Sequence, residues 1–408
     1  MVLRTATGEE IAPYVTVTTP ENQAATLRNQ DQVWSVRAIR RGVAERPLPP
    51  HAHSFADLTY ELDGVRYGVD DFMARRRTAG LLILKDGEIA LECYGMGNGP
   101  ESRWTSFSTA KSMTATLAGA ALHDGAIDSL DEPCEAYLPR LRGSAYEGVT
   151  IRNVLRMCSD VAWREDDDAD GRSEIHRLGR AMASRRPGAV LDLMCKLPRA
   201  HPQGAVFNYS TGESCVLAAV VAAAVGRPLA DYFGDRIWGP AGMEADAHWQ
   251  LESEDGLELG GLGVSARLRD VGRFGLLVLD DGVAFNGERV LPPGWRDLAG
   301  QPDCAATGFG RLRSDIPSGY GYQWWVLPHG PTGIHAGTFS AIGAHGQYIY
   351  VNPNARLVVV IHSAWRQNND PDADLDTFTL IGAIVRVPQP GPASSDGQRK
   401  RGERRERG

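Results

Sequence analysis

The chain has 408 residues, 42% of them hydrophobic, which is enough for a sizeable core and roughly two or three domain-sized units. A formal net charge of -8 argues against a dedicated nucleic-acid binder, which would carry a basic face. No run is long enough to span a bilayer, and the opening MVLRTATGEEIAPYVTV lacks a basic stretch followed by an apolar one, so the expectation is a cytoplasmic protein with no membrane partner.

Residues 1–60 are rich in Pro, Thr and charge and read as an N-terminal arm with little regular structure. Two short β runs then flank Lys85-Asp-Gly-Glu88, a strong hairpin signal. After Trp104-Thr-Ser-Phe-Ser108 the spacing of Met113, Leu117 and Ala121 predicts a helix, with Gly125 at its end. From about 126 to 300 the pattern is mainly helical. Thr150 is the predicted N-cap of a helix over 151–155, and residues 210–225, apolar nearly all round, predict a buried helix. Residues 265–279 are amphipathic. Strands return at 320–326, 346–351 and 357–362, with Asn352-Pro-Asn-Ala355 as a turn, and a helix over 372–385 follows. The Pro/Gly/Ser-rich and then basic stretch 389–408 reads as a disordered, solvated tail. This order predicts an α/β fold. An antiparallel-sheet domain is built from both chain ends (61–115 and 300–388), with an all-helical domain inserted over 116–299. A pocket is expected where the two meet.

Of 43 Lys+Arg, only Lys85, Lys111, Lys196 and Lys400 are lysines, so one retained inside an apolar helix asks for a reason. Ser108-Thr-Ala-Lys111 is an S-x-x-K motif. Residues i and i+3 share a helix face, so Lys111 can reach the Ser108 hydroxyl, and burial would favour the neutral amine that a base needs. Ser108 sits where β structure gives way to a helix, so its backbone N–H can donate to an oxyanion. Taken alone, an N-capping serine and a snorkelling surface lysine are equally good readings. Tyr209, at the start of the buried helix, can point into the same cleft and pass a proton to a leaving group; its ordinary alternative is a core tyrosine.

A set of motifs in order adds to this reading. They are Ser108-Thr-Ala-Lys111, Asp124-Gly-Ala-Ile-Asp-Ser-Leu-Asp131, Thr150-Ile-Arg-Asn-Val-Leu155, Tyr209-Ser-Thr211, Gly226-Arg-Pro228, Gly239-Pro-Ala-Gly-Met243, Gly260-Gly-Leu-Gly-Val-Ser-Ala-Arg267 and Gly346-Gln347. With them, residues 60–388 resemble the serine β-lactamase-like group. That group includes class C β-lactamases, penicillin-binding D-alanyl-D-alanine peptidases, related esterases and, above all, 6-aminohexanoate-dimer (nylon oligomer) hydrolases. The resemblance implies the two-domain β-lactamase/transpeptidase fold, an acyl-enzyme on Ser108 with Lys111 as general base, Tyr209 in the place of the family's second-motif tyrosine, and no metal or other cofactor. Thr211 stands where that motif has Asn. The third motif, K-T-G, has two candidates, His335-Ala-Gly337 and Ala341-Ile-Gly343. The second is preferred because Gly346-Gln-Tyr-Ile-Tyr follows it, and it would make the Ala344 amide the second oxyanion donor beside that of Ser108. Gly343, His345, Trp325 and Asp167 are further candidates for substrate contact. Either way the K-T-G lysine is absent, and so is the tyrosine that nylon oligomer hydrolases carry near Glu165-Asp-Asp-Asp168.

Other patterns carry less. Asp166-x-Asp168-x-Asp170-Gly171 opens like a calcium loop, but its twelfth position is Arg177 rather than Glu. His51-Ala-His53 has no third ligand at metal spacing. The six cysteines, at 93, 134, 158, 195, 215 and 304, stand singly and fit buried free thiols. The leading expectation is a hydrolase of carboxylic esters or small linear amides. Alternatives are an acyltransferase or cyclase using the same acyl-enzyme, a β-lactamase or D-amino-acid peptidase, and a non-catalytic binding protein of this fold. The partner implied is a small-molecule substrate; the sequence sets no oligomeric state.

Overall fold

The structure is a computed structural model that describes residues 21–165, 171–302, 318–327 and 333–387, together with Thr19 and the short strands Leu3–Arg4 and Glu10–Ile11. Its frame is a seven-stranded antiparallel sheet. The strand order is Gly319–Tyr320, Trp325–Val326, Phe339–Gly343, Gln347–Asn352, Leu357–Ser363, Thr78–Lys85 and Glu88–Tyr94, so both ends of the chain supply it. The predicted hairpin closes through Asp86 and Gly87, both at positive φ (54° and 85°), as a two-residue turn between twisted strands requires.

Both faces of this sheet are covered, which explains why its central strands are apolar throughout rather than alternating. Leu82, Leu84, Val358 and Val360 join the larger core with the Leu268–Leu279 helix. Their neighbours Leu81, Ile83, Val359 and Ile361 join a second core with the Pro371–Val385 helix. That division follows from the alternation of side chains along a strand. The helices Thr109–His123 and Thr211–Val225 pack on each other within the larger core, and Thr150 caps Ile151–Leu155 by accepting from Asn153 N at 3.2 Å. No single helix among the described residues is long and apolar enough to cross a membrane.

Several expectations need correction. The N-terminal 60 residues are not simply an arm: Val36–Ile39 is a strand of a four-stranded sheet, paired with Ala247–Gln250, which joins Val264–Arg267 and then Arg103–Thr105. Two of those strands fall inside 116–299, so that segment is not helical throughout. The amphipathic stretch 265–279 divides into the end of a strand and the Leu268–Leu279 helix, which belongs to the large sheet. Residues 320–326 are not one strand. Gln323, at φ 57°, turns the chain so that Gly319–Tyr320 and Trp325–Val326 pair with each other. Cys134, Cys158 and Cys215 are buried thiols, whereas Cys93 and Cys195 are half-buried. Cys304, the acidic loop Asp166–Asp170 and the tail 389–408 lie outside the described residues.

Candidate active site

The Arg103–Thr105 strand hands the chain to the Thr109–His123 helix through a tight turn. Ser106 N donates to Val264 O at 2.7 Å, and Val264 N donates to Ser106 Oγ at 3.0 Å, which ties the turn to the neighbouring strand. Phe107 follows at φ 43°, a left-handed conformation that costs a non-glycine residue on the order of 1–3 kcal/mol. The turn delivers Ser108 as the N-cap of the helix, half-buried on the wall of a cleft of about 470 Å³.

One helical turn on, Lys111 is only 1% exposed. Its Nζ donates to Ser108 Oγ at 2.8 Å, to Thr211 Oγ1 at 2.9 Å and to Gly261 O at 3.0 Å. The two predicted motif residues are thus in contact, and among the described residues the buried Lys111 Nζ forms no ion pair with a carboxylate. Gly261 reaches it because Gly260-Gly261 threads between the two central helices. A Cβ at Gly260 would meet Ser214 O at 2.4 Å, and one at Gly261 would meet Thr211 O at 2.6 Å.

Tyr209 also lines the cleft. Its ring stacks on Trp325 with centroids 5.3 Å apart and lies 4.8 Å from Lys111 Nζ, within cation–π range. Trp324, the strand neighbour of Trp325, is buried against Phe274 and Phe339, as alternation predicts. Gly343 and Ala344 form the opposite wall. A Cβ at Gly343 would come within 3.1 Å of Ser108 N, so of the two third-motif candidates it is Ala341-Ile-Gly343 that lies beside Ser108. His335 is elsewhere, with Nδ1 3.1 Å from the Tyr350 hydroxyl.

His345 does not face the cleft. At φ 60° it forms the hairpin turn after Ala344. Its ring packs on Phe107 with Nδ1 2.8 Å from Trp365 O, and burial lowers its pKa. The left-handed turn that presents Ala344 to the cleft carries the imidazole away from it. Asp167 lies outside the described residues.

Two parts of the site escape the sequence reading. Glu165 lies on the cleft wall, where its carboxylate takes N–H bonds from Thr211 (2.9 Å) and Trp163 Nε1 (2.6 Å) and meets the Thr211 hydroxyl. The acidic run around it hid which carboxylate matters. The Glu174–Ala183 helix lines another side with Ile175, Leu178 and Met182, and their helical spacing was the available signal. Among the described residues no group of three or more His, Cys, Asp or Glu side chains could hold a metal ion.

A half-buried serine in contact with a buried lysine at the start of a helix, beside an antiparallel sheet, defines the class. A family profile described as Beta-lactamase matches residues 68–384, and the chain belongs to that family. It is 33% identical over 363 residues to the 6-aminohexanoate-dimer hydrolase of Paenarthrobacter ureafaciens, a match covering 86% of this chain and 87% of that one. Among solved structures it resembles one described as a 6-aminohexanoate-dimer hydrolase from Bacillus anthracis. The TM-score is 0.80 and the identity 20%, with 95% of this chain and all of that one covered. It also resembles EstCE1, a hydrolase with promiscuous acyltransferase activity, at a TM-score of 0.59 and 18% identity, covering 78% of this chain and 99% of that one. The chain is a hydrolase of the beta-lactamase family.

Proposed function

We propose that the protein hydrolyses carboxylic esters or small linear amides through an acyl-enzyme on Ser108, with Lys111 as general base. The observation that carries this reading is the 2.8 Å contact between Lys111 Nζ and Ser108 Oγ on the wall of the cleft. Lys111 in its amine form takes the Ser108 proton as Oγ attacks the carbonyl carbon. The oxyanion that forms accepts from the amides of Ser108 and Ala344, fixed donors of the kind that contribute most to acyl transfer. As the C–O or C–N bond breaks, Tyr209 relays a proton to the leaving group. Water, activated by the same groups, then attacks the acyl-enzyme and frees Ser108.

The apolar wall of Leu178, Met182 and Trp325 favours an acyl chain or aryl group, and the amide-cleaving name of the Paenarthrobacter relative supports including amides. The test is a fluorophosphonate label followed by peptide mapping, beside kinetics of Ser108→Ala on a short-chain aryl ester. Labelling of Ser108 and loss of turnover in Ser108→Ala are the expected results. Labelling elsewhere, or full activity in the variant, would defeat the proposal.

A further inference from the structure

Lys111 touches a residue that has a firm partner of its own. Thr211 Oγ1, 2.9 Å from Lys111 Nζ, also meets Glu165 Oε1, while Glu165 Oε2 accepts from Thr211 N at 2.9 Å and Trp163 Nε1 at 2.6 Å. Both N–H donors lie on Oε2, and a carboxylate can only accept, so Oε1 takes the Thr211 hydroxyl hydrogen. The Thr211 oxygen then offers Lys111 a lone pair. Gly261 O, 3.0 Å from Nζ, can likewise only accept. A neutral lysine amine has two hydrogens and one lone pair. With the hydrogens directed to Thr211 and Gly261, the lone pair is left facing Ser108 Oγ.

We propose that Glu165 is a positioning residue: by fixing the direction of the Thr211 hydroxyl it aims the Lys111 lone pair at the Ser108 proton. This rests on the acyl-enzyme reading above. Neither residue would touch the reacting carbonyl; both act through Lys111.

Glu165→Gln is the informative change. If the amide oxygen keeps the Thr211 and Trp163 N–H groups, its NH₂ must donate to Thr211 Oγ1. The hydroxyl hydrogen then turns toward Lys111 and occupies the lone pair that Ser108 needs. The expected result is a fall in kcat of about 10- to 100-fold, the equivalent of one charge-assisted hydrogen bond, with KM little changed. Thr211→Val should fall comparably, Thr211→Ser should recover most of that loss, and Glu165→Gln/Thr211→Val should be no worse than either single variant. Glu165→Gln within about threefold of wild type, or an additive double variant, would overturn the assignment. Should Glu165→Gln fail to fold, the comparison of Thr211→Val with Thr211→Ser decides, and equal activities overturn it. Ser108→Ala in the same assay separates the two failures. If it stays active, the acyl-enzyme reading is wrong; if it is inert while Glu165→Gln is unimpaired, only the positioning role falls.

Discussion

Lys111→Arg distinguishes a lysine that accepts a proton from a cation that only supplies charge. The side chain is 1% exposed, and Nζ has three acceptors, Ser108 Oγ, Thr211 Oγ1 and Gly261 O, at 2.8, 2.9 and 3.0 Å. A guanidinium carries five N–H donors and no accessible lone pair at working pH. At least two donors would be left without protein partners, each costing about 1–3 kcal/mol where water cannot reach. Separately, the missing base costs about 10²–10⁴ in kcat/KM, or ~3–5 kcal/mol of barrier. Lys111→Met fills the same channel without the donors. Both variants should therefore be nearly inert on a short aryl ester, while thermal melts should place Lys111→Arg below Lys111→Met. If kcat/KM of Lys111→Arg stays within about tenfold of wild type, a barrier change of only ~1.4 kcal/mol, the lysine is not the base.

Three further outcomes follow from the same geometry. Gly343→Ala would put a Cβ 2.8 Å from Ser106 O and 3.1 Å from Ser108 N, both backbone atoms, so either the strand or the turn must move. Activity on an aryl ester should drop more than about tenfold, with a stability loss of only ~1–3 kcal/mol in denaturant melts. Glu213 is fully buried, and desolvation pushes its carboxyl from an ordinary 4.5 up to about 8. Between those pH values the folded state holds a proton that the unfolded state has released. This group's stabilisation is therefore complete at low pH and is lost as pH rises toward 8, by about 1.4 kcal/mol per unit. Glu213→Gln should flatten that slope in urea titrations, and an unchanged slope would count against the argument. Turnover of aryl esters should exceed that of nitrocefin by orders of magnitude, because Ala341 stands where the third motif of β-lactam-binding relatives has lysine. Efficient nitrocefin hydrolysis would show that another cation holds the β-lactam carboxylate.

What could be read from the sequence divides along a physical line. Ser108 and Lys111 are three apart on one helix, so local periodicity alone places them together, and the Trp324/Trp325 split follows from strand alternation. The central strands and the buried Thr211–Val225 helix were legible because burial on both sides leaves a nearly unbroken apolar run. The Val36–Ile39 strand was not, because its ladder partner among the described residues, Ala247–Gln250, is remote in the chain, and four residues are too few to show a period. His345 failed for another reason. A positive φ at one turn residue decides which way a side chain leaves the backbone, and nothing in Ala-His-Gly announces it.

Glu165 is the most instructive case. Its hydrogen-bonded partner Thr211 is 46 residues away, and Thr211 in turn is 100 residues from Lys111. Each link needs the fold before it exists. A carboxylate in an acidic run reads as solvated, and a threonine in place of the family's asparagine reads as a departure from the motif. Together they form one arrangement: a threonine hydroxyl can both donate and accept, so it can stand beside Lys111 provided something fixes its direction. Glu165 is the acceptor that does so, and this is why the substitution at Thr211 and the carboxylate at Glu165 are best understood as a pair.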